Sequence, residues 1–507
     1  MARARTLMLQ GTSSGVGKSL LTAALCRIFT REGLSVRPFK AQNMALNAAV
    51  TDDGGEIGRA QALQAQACRV PASRDMNPIL LKPETDSRAQ VVLHGDATER
   101  LSAAEYHRRK PALWPLVAKS LDRLREGCDL VVIEGAGSPA EVNLRDRELV
   151  NMRVARHAAA PVLLVGDIDR GGVFAALLGT LSLLRPAERR HVRAMLVNNF
   201  RGDAALFSDG VTFLERRARL PVAGVVPHVE GLRLPEEDSL ALDHGFGSDG
   251  TGAAGTLDVA VIRLPRISNF DDCDALLREA GVRVRLVDHG DRLGDPDLVV
   301  LPGSKTTRSD LDILRERGLD RAIVAARERS TAVLGICGGF QLLGAAIEDP
   351  LGSDDGMPGA SPGLGLLPTT TCMTGDKTVR AVSGRVLQRP GLFGLAPDGA
   401  VHGYEIHTGR TAPHRAPLSL STADGTWDDG ATSDDGWVAG THLHGLLDSD
   451  TVRRAMLRAV AERRGRSWSP GPPVPGVDEE LDRLAGAVAA ACDMNLLRRI
   501  VAEGVPG

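Results

Sequence analysis

Apolar runs four to six residues long recur through the first half of the chain, at 7–10, 35–39, 129–134, 161–166, 194–198 and 222–226, each ended by polar or glycine-containing turns. Helical stretches separate them, the first at 20–31. Continuous apolar strands alternating with helices predict a mostly parallel sheet covered on both faces, over residues 1–235. Residues 236–256, EEDSLALDHGFGSDGTGAAGT, carry no such pattern and read as a linker. A second α/β unit is predicted over 257–449, opening with a strand at 257–262 and continuing with strands at 282–287, 298–301 and 333–336. Residues 450–507 read as a helical extension, with helices at 450–464 and 477–502 separated by Pro470-Gly471-Pro472-Pro473-Val474-Pro475. Within the last helix Leu481, Leu484, Val488, Ala491, Leu497 and Ile500 approximate one apolar face, which predicts that it docks on the body.

At 507 residues the chain is long enough for two or more cores. Its 3% aromatic content and net charge of -3 leave little with which to bind nucleic acid. Seven cysteines, at 26, 68, 128, 273, 337, 372 and 492, form no C-x-x-C pair, so neither a disulfide framework nor a zinc knuckle is indicated and a reducing cytoplasm is expected. Leu7-Met8-Leu9 is too short for a signal segment, and no apolar run approaches the ~20 residues of a membrane span.

Two motifs carry chemistry. Gly11-Thr12-Ser13-Ser14-Gly15-Val16-Gly17-Lys18-Ser19 lies between a strand and a helix, the setting of a phosphate-binding loop. There backbone N–H groups face the phosphates of ATP, Lys18 reaches the outer ones and Ser19 offers an oxygen to Mg²⁺. The first glycine stands one residue earlier than the common pattern requires, where Thr12 is found, so the loop is a variant. Glu134 ends an apolar strand, as a metal-positioning carboxylate does; the alternative is a plain strand with a solvated terminal acid. Asp167 and Asp169, after another strand, are weaker metal candidates that could equally cap a helix.

The second motif, Gly335-Ile336-Cys337-Gly338-Gly339, has the layout of a tight strand-to-helix elbow that exposes a nucleophile at a helix N-terminus, where the dipole favours thiolate. The other six cysteines read as small core residues. Leu301-Pro302-Gly303-Ser304-Lys305 follows another strand end. Its amides at Gly303 and Ser304, with that of Gly338, could hold an oxyanion. Of the histidines, His444 in Gly440-Thr441-His442-Leu443-His444-Gly445-Leu446 is the best candidate base, with His442 in reserve because it would share a strand face. The two motifs together suggest an enzyme that releases ammonia from glutamine and uses ATP to attach it to a carboxylate.

In its full set of motifs the chain resembles the cobyric acid synthases. The resemblance covers nearly its whole length and rests on the two motifs above together with Phe39-Lys40-Ala41-Gln42-Asn43-Met44-Ala45-Leu46-Asn47, Asn77-Pro78-Ile79-Leu80-Leu81-Lys82-Pro83, Glu134-Gly135-Ala136-Gly137-Ser138, Pro302-Gly303-Ser304-Lys305, Gly403-Tyr404-Glu405-Ile406-His407 and His444-Gly445. It implies a dethiobiotin-synthetase-like ATPase domain followed by a class I glutamine amidotransferase domain of flavodoxin-like α/β fold, with Cys337 as nucleophile and His444 as its base. It also implies four amidations, at the b, d, e and g carboxylates of adenosylcobyrinic acid a,c-diamide, each through an acyl phosphate. Gln42, Asn43, Asn47 and Lys82 are the implied corrin-binding candidates, Lys82 being alternatively an ordinary surface lysine. The sister cobyrinate a,c-diamide synthases carry an acidic G-P-D-Y-x-D after the Phe-Lys pair, where Gln42-Asn43-Met44 and Asn47 stand here.

Many class I amidotransferases place a glutamate two residues after the base. Here that position is Leu446, so an orienting carboxylate is absent or comes from elsewhere, with Glu405 one possible donor. Two alternatives remain at this point: an a,c-diamide synthase or related amidoligase, and a ParA-like regulatory ATPase carrying an inactive amidotransferase module. The sequence leaves oligomeric state open.

Overall fold

The computed structural model describes residues 3–84, 87–235, 256–387, 389–396, 398–472 and 475–506. The linker expected at 236–256 lies, except for Thr256, outside the described residues. Contacts divide the chain into two units, one of residues 1–45, 51–235 and 475–507, the other of residues 46–50 and 236–474.

The first unit is built on a six-stranded parallel sheet of β1 (Arg5–Gly11), β2 (Val36–Phe39), β3 (Leu130–Glu134), β4 (Val162–Asp167), β5 (Val192–Phe200) and β6 (Val222–Pro227), in the spatial order β6-β5-β4-β1-β3-β2. These are the six predicted strands. Strands β3 and β4 are buried throughout, which is why they read as unbroken apolar runs rather than alternating ones. The strand order turns around at β1, so a crevice opens past its C-terminal end, where α/β sheets of this kind bind ligands. Register places Leu9 beside Glu134 and Gly11 beside Val165, which brings the ends of β3 and β4 to that same edge.

A smaller sheet of Gln42–Met44, Ile79–Pro83, Arg88–Leu93 and Asp96–Ser102 belongs to the same unit. The predicted 477–502 helix is two helices, Val477–Ala491 and Met494–Glu503. Cys492 is extended between them, and Asp493 caps the second, its side chain accepting the N–H of Leu496. The predicted apolar face docks as expected: Leu481, Leu484, Val488, Leu497 and Ile500 are buried in one cluster with Leu21 and Leu25 of α1 (Lys18–Arg31). Arg27 of α1 is completely buried and ion-paired to Asp478 and Asp482.

The second unit has five parallel strands, β7 (Leu257–Ile262), β8 (Val282–Val287), β9 (Leu298–Leu301), β10 (Ala332–Ile336) and β11 (Val438–Thr441), in the order β8-β7-β9-β10-β11. That is the flavodoxin-like order. Between β10 and β11 the chain forms a mostly antiparallel sheet dominated by the paired strands Thr370–Val386 and Ala400–Thr411. The helix Asp450–Arg463 buries Val452, Met456, Leu457 and Val460 in the same cluster as Leu392 and Phe393. The stretch 450–507 therefore divides, its first helix belonging to the second unit and its last two to the first. No helix among the described residues is long and apolar enough to cross a membrane.

Candidate active sites

In the first unit the loop from Thr12 to Gly17 leaves β1 and enters α1. Ser13, Ser14 and Gly15 are exposed, and Gly15 and Gly17 have φ of 72° and 88°, conformations that only glycine adopts without strain. A Cβ on Gly17 would also lie 2.2 Å from Asn198 Nδ2, which donates to the Val16 carbonyl at 2.9 Å. The displaced first glycine has a local cause. A Cβ on Gly11 would meet Val16 Cγ2 at 2.6 Å and Lys18 Nζ at 2.8 Å, while Thr12 extends the ladder by donating its N–H to the Val165 carbonyl.

Lys18 Nζ donates to the carbonyls of Ser13 (2.9 Å) and Gly137 (3.4 Å), so the loop curls around its own lysine. Ser19 Oγ donates to Glu134 Oε1 at 2.7 Å. The Glu134 carboxylate also takes Lys40 Nζ at 2.9 Å and Gln64 Nε2 at 2.6 Å. Burial alone would raise its pKa, but Lys40, Gln64 and Ser19 outweigh that and hold the group ionised, below the usual carboxylate value. The alternative of a solvated strand-end acid does not account for a buried carboxylate that meets Ser19, Lys40, Gln61 and Gln64. Asp167 receives the Asp169 N–H and lies 3.6 Å from Arg170, while Asp169 pairs with Arg201 at 2.8 Å. The hydroxyl of Ser19 and the carboxylate of Glu134 are hard oxygen donors side by side, a set that fits Mg²⁺, which takes few protein ligands when phosphates supply the rest.

In the second unit Cys337 joins β10 to the short helix α2 (Gly338–Leu343) with φ 53° and ψ −109°, a strained backbone for a residue with a side chain. The turn closes tightly: a Cβ on Gly339 would lie 1.9 Å from the Leu301 carbonyl oxygen, and one on Gly338 would lie 2.6 Å from the Ser304 nitrogen. Gly338 therefore abuts Ser304. Lys305 N donates to Arg266 O at 2.9 Å, and the antiparallel pairing of Gly303–Ser304 with Ile267–Ser268 alternates from that bond. Alternation directs the Gly303 N–H to Ser268 and leaves the Ser304 N–H turned away from the ladder. Ser304 and Gly338 thus offer amides, and the expectation for Gly303 is corrected. Gly303 instead makes room for the base, since a Cβ there would come within 3.4 Å of His444 Cε1.

His444 lies beyond β11 and is fixed by two backbone bonds to Tyr404, at 2.9 and 3.1 Å, with the two rings stacked. Its Nδ1 is 2.7 Å from Asp272 Oδ2, and Asp272 Oδ1 accepts the Gly445 N–H at 2.9 Å. Burial would lower the histidine's pKa, but the negative charges of Asp272 and Cys337 raise it to about 10. The arrangement favours the imidazolium form of His444. His442, kept in reserve from the sequence, stacks on His407 with ring centroids 4.0 Å apart, and among the described residues its ring nitrogens find no hydrogen-bond partner. Burial and the neighbouring histidines hold its pKa well below the ordinary value, so it stays neutral.

Asp272 is the residue that sequence reasoning missed. Glu405, considered for its role, is paired instead with Arg380 and lies 3.8 Å from His407. The one signal was the acid pair Asp271-Asp272 soon after the first strand of the second unit, but nothing in sequence links it to a histidine 172 positions away.

Among the corrin-binding candidates, Gln42 and Asn43 lie on the strand that pairs with Ile79–Pro83, which carries Lys82. Gln42 Oε1 accepts the Tyr106 hydroxyl at 2.6 Å, and Asn43 Nδ2 donates to Gln61 Oε1 at 2.8 Å. Lys82 is no surface lysine: it is 3% exposed and paired with the buried Glu56 at 2.6 Å. Asn47 is fully buried in the second unit, with Oδ1 accepting the Phe270 N–H at 3.4 Å.

Residues 7–241 match the family of the CobQ/CobB/MinD/ParA nucleotide binding domain, and residues 258–452 match the CobB/CobQ-like glutamine amidotransferase domain. Over nearly its full length the chain is similar to the cobyric acid synthase of Sorangium cellulosum, at 52% identity over 98% of this chain and 99% of that protein. The cobyric acid synthase of Dehalococcoides mccartyi is 48% identical over 99% of each chain. That of Roseiflexus castenholzii is 49% identical over 96% of this chain and 97% of its own.

Proposed function

The chain belongs to the cobyric acid synthase family of glutamine-dependent amide-forming ligases, and on that premise we propose how its two sites divide the reaction. In the second unit the Cys337 thiolate attacks the amide carbon of glutamine, and the N–H groups of Ser304 and Gly338 receive the charge that develops on oxygen. His444 protonates the departing nitrogen, then takes a proton from the water that cleaves the thioester to glutamate. Asp272 fixes the imidazole's tautomer and supports its positive charge.

In the first unit a side-chain carboxylate of the corrin attacks the γ-phosphorus of ATP and ADP departs, giving an acyl phosphate. Ammonia then displaces phosphate at the acyl carbon to form the amide. Lys18 and the amides of residues 12–19 neutralise and orient the transferring group, so catalysis there is mainly positioning and electrostatics. Mg²⁺, held by Ser19 and Glu134, would supply further charge stabilisation on the phosphates. The corrin is adenosylcobyrinic acid a,c-diamide and the acceptors are its b, d, e and g carboxylates. Gln42, half-buried, has side-chain surface to offer it, whereas Asn43, Asn47 and Lys82 are buried and engaged within the protein. The seven free thiols suit a reducing cytoplasm.

The observation that carries this reading is a buried imidazole held charged by Asp272 next to a thiol on a strained turn. Packing alone gives no reason to assemble that group, and a switch with an inactive amidotransferase module would have none either. Replacing Cys337 by Ser tests it. Glutamine-supported amidation should vanish while ammonia-supported amidation continues; loss of both, or survival of both, contradicts the division of labour.

A further inference from the structure

Residues 46–50 interrupt the first unit's sequence and belong to the second. Their short strand, Ala48–Val50, packs beside the long strands Thr370–Val386 and Ala400–Thr411. Two bonds fasten them further: Ala48 N donates to Asn269 Oδ1 at 3.0 Å, and Phe270 N donates to Asn47 Oδ1 at 3.4 Å. Asn269 and Phe270 begin the turn that carries Asp272. Asn269 has a left-handed backbone, φ 52°, which asparagine tolerates better than most residues with a side chain. Its carbonyl accepts the Asp272 N–H at 3.2 Å, closing the turn Phe270–Cys273. Asp272 then reaches His444 Nδ1 and Gly445 N. One line of contacts runs from Asn47 and Ala48, through Asn269 and Phe270, to the carboxylate that orients the base.

We propose that residues 46–50 form a strap that sets the Asp272 carboxylate against His444, making Asn47 a positioning residue for glutamine hydrolysis rather than a corrin ligand. The inference rests on the reading of Cys337 and His444 as the amide-hydrolysing pair. Tolerance gives the strap its use: a catalytic base must be held within about 0.5 Å of its productive place, and the bonds from residues 47 and 48 fix both Asn269 and Phe270 at the start of the turn bearing Asp272.

The test uses the full chain with Asn47→Ala, Asn47→Asp and Asn269→Ala. Asn47→Ala and Asn269→Ala should each lower kcat for glutamate release by ~10–100-fold with little change in KM for glutamine. Ammonia-supported amidation should stay near wild type and its KM for the corrin should not rise. Asn47→Asp keeps an oxygen acceptor for Phe270 N and should restore most of the glutaminase rate. Normal glutaminase in Asn47→Ala overturns the strap, as does parallel loss of ammonia-supported synthesis with a raised corrin KM, which would make Asn47 a substrate contact. If wild type itself released no glutamate, the parent assignment would fall and the strap with it, whereas active wild type with unaffected variants sinks the strap alone.

Discussion

Asp272→Asn removes one charge from a buried pair while keeping the side chain's shape. The pair's worth follows from the histidine: Asp272 and Cys337 together carry its pKa from 6.5 to about 10 against a burial effect of opposite sign. That difference corresponds to ~5 kcal/mol in favour of the imidazolium. Asp272 is the larger of the two favourable contributors, so its removal should take away roughly half or more, and the Asn amide can also stabilise the wrong tautomer by donating to Nδ1. A loss of ~10²–10³ in kcat/KM for glutamine hydrolysis follows. The pH dependence has a definite sign. With Asp272 present the imidazolium persists until pH rises through about 10, so the basic limb of the profile lies there. In the variant that limb moves toward neutrality. Because the folded-state pKa is raised, the pair's contribution to stability is complete below about 6.5 and disappears as pH rises through about 10. The variant's loss of stability should therefore be greatest at neutral and lower pH. Glutamate release measured across pH, with ammonia-supported amidation as control, decides it. A variant within about threefold of wild type, with an unmoved basic limb, would refute the role given to Asp272.

Other outcomes follow from single contacts. Lys18→Ala should abolish amidation with glutamine and with ammonia alike, measured as product formation; substantial residual synthesis would count against the phosphate-loop assignment. Glu134→Gln removes the charge facing Lys40 and leaves only a neutral amide oxygen where a carboxylate is offered to Mg²⁺, so nucleotide-dependent synthesis should fall with either nitrogen source. Gly303→Ala places a Cβ 2.7 Å from the Ser268 carbonyl oxygen and 3.4 Å from His444 Cε1, so glutamate release should drop while ammonia-supported synthesis survives. Replacing Asp478 and Asp482 together by Ala leaves Arg27 buried without its ion pairs, and denaturant unfolding should show a loss of up to ~3 kcal/mol.

The parallel strands at the centre of both units were legible because burial on both faces makes each read as an apolar run. Strand Asp96–Ser102 was not, since its residues are exposed or half-buried and its sequence, DATERLS, has no apolar alternation. The long strand Thr370–Val386 likewise buries only scattered positions. The break at Cys492 escaped notice because the apolar spacing continues on either side of it. At the sites, Cys337 and the loop from Gly11 to Ser19 announced themselves through local turn chemistry, where every required residue is a near neighbour. Asp272 could not, because its function exists only across the fold, and the partners of Lys82 and Asn47 are also remote in sequence.

The central claim is that nitrogen released at Cys337 ends in amides of the corrin. Incubating the full chain with ATP, Mg²⁺, adenosylcobyrinic acid a,c-diamide and glutamine labelled with ¹⁵N at the amide, followed by mass spectrometry of the corrin, tests it most directly. The expected result is stepwise gain of labelled amides at the b, d, e and g positions, abolished by Cys337→Ser. Consumption of ATP and glutamine without labelled nitrogen in the corrin would contradict it.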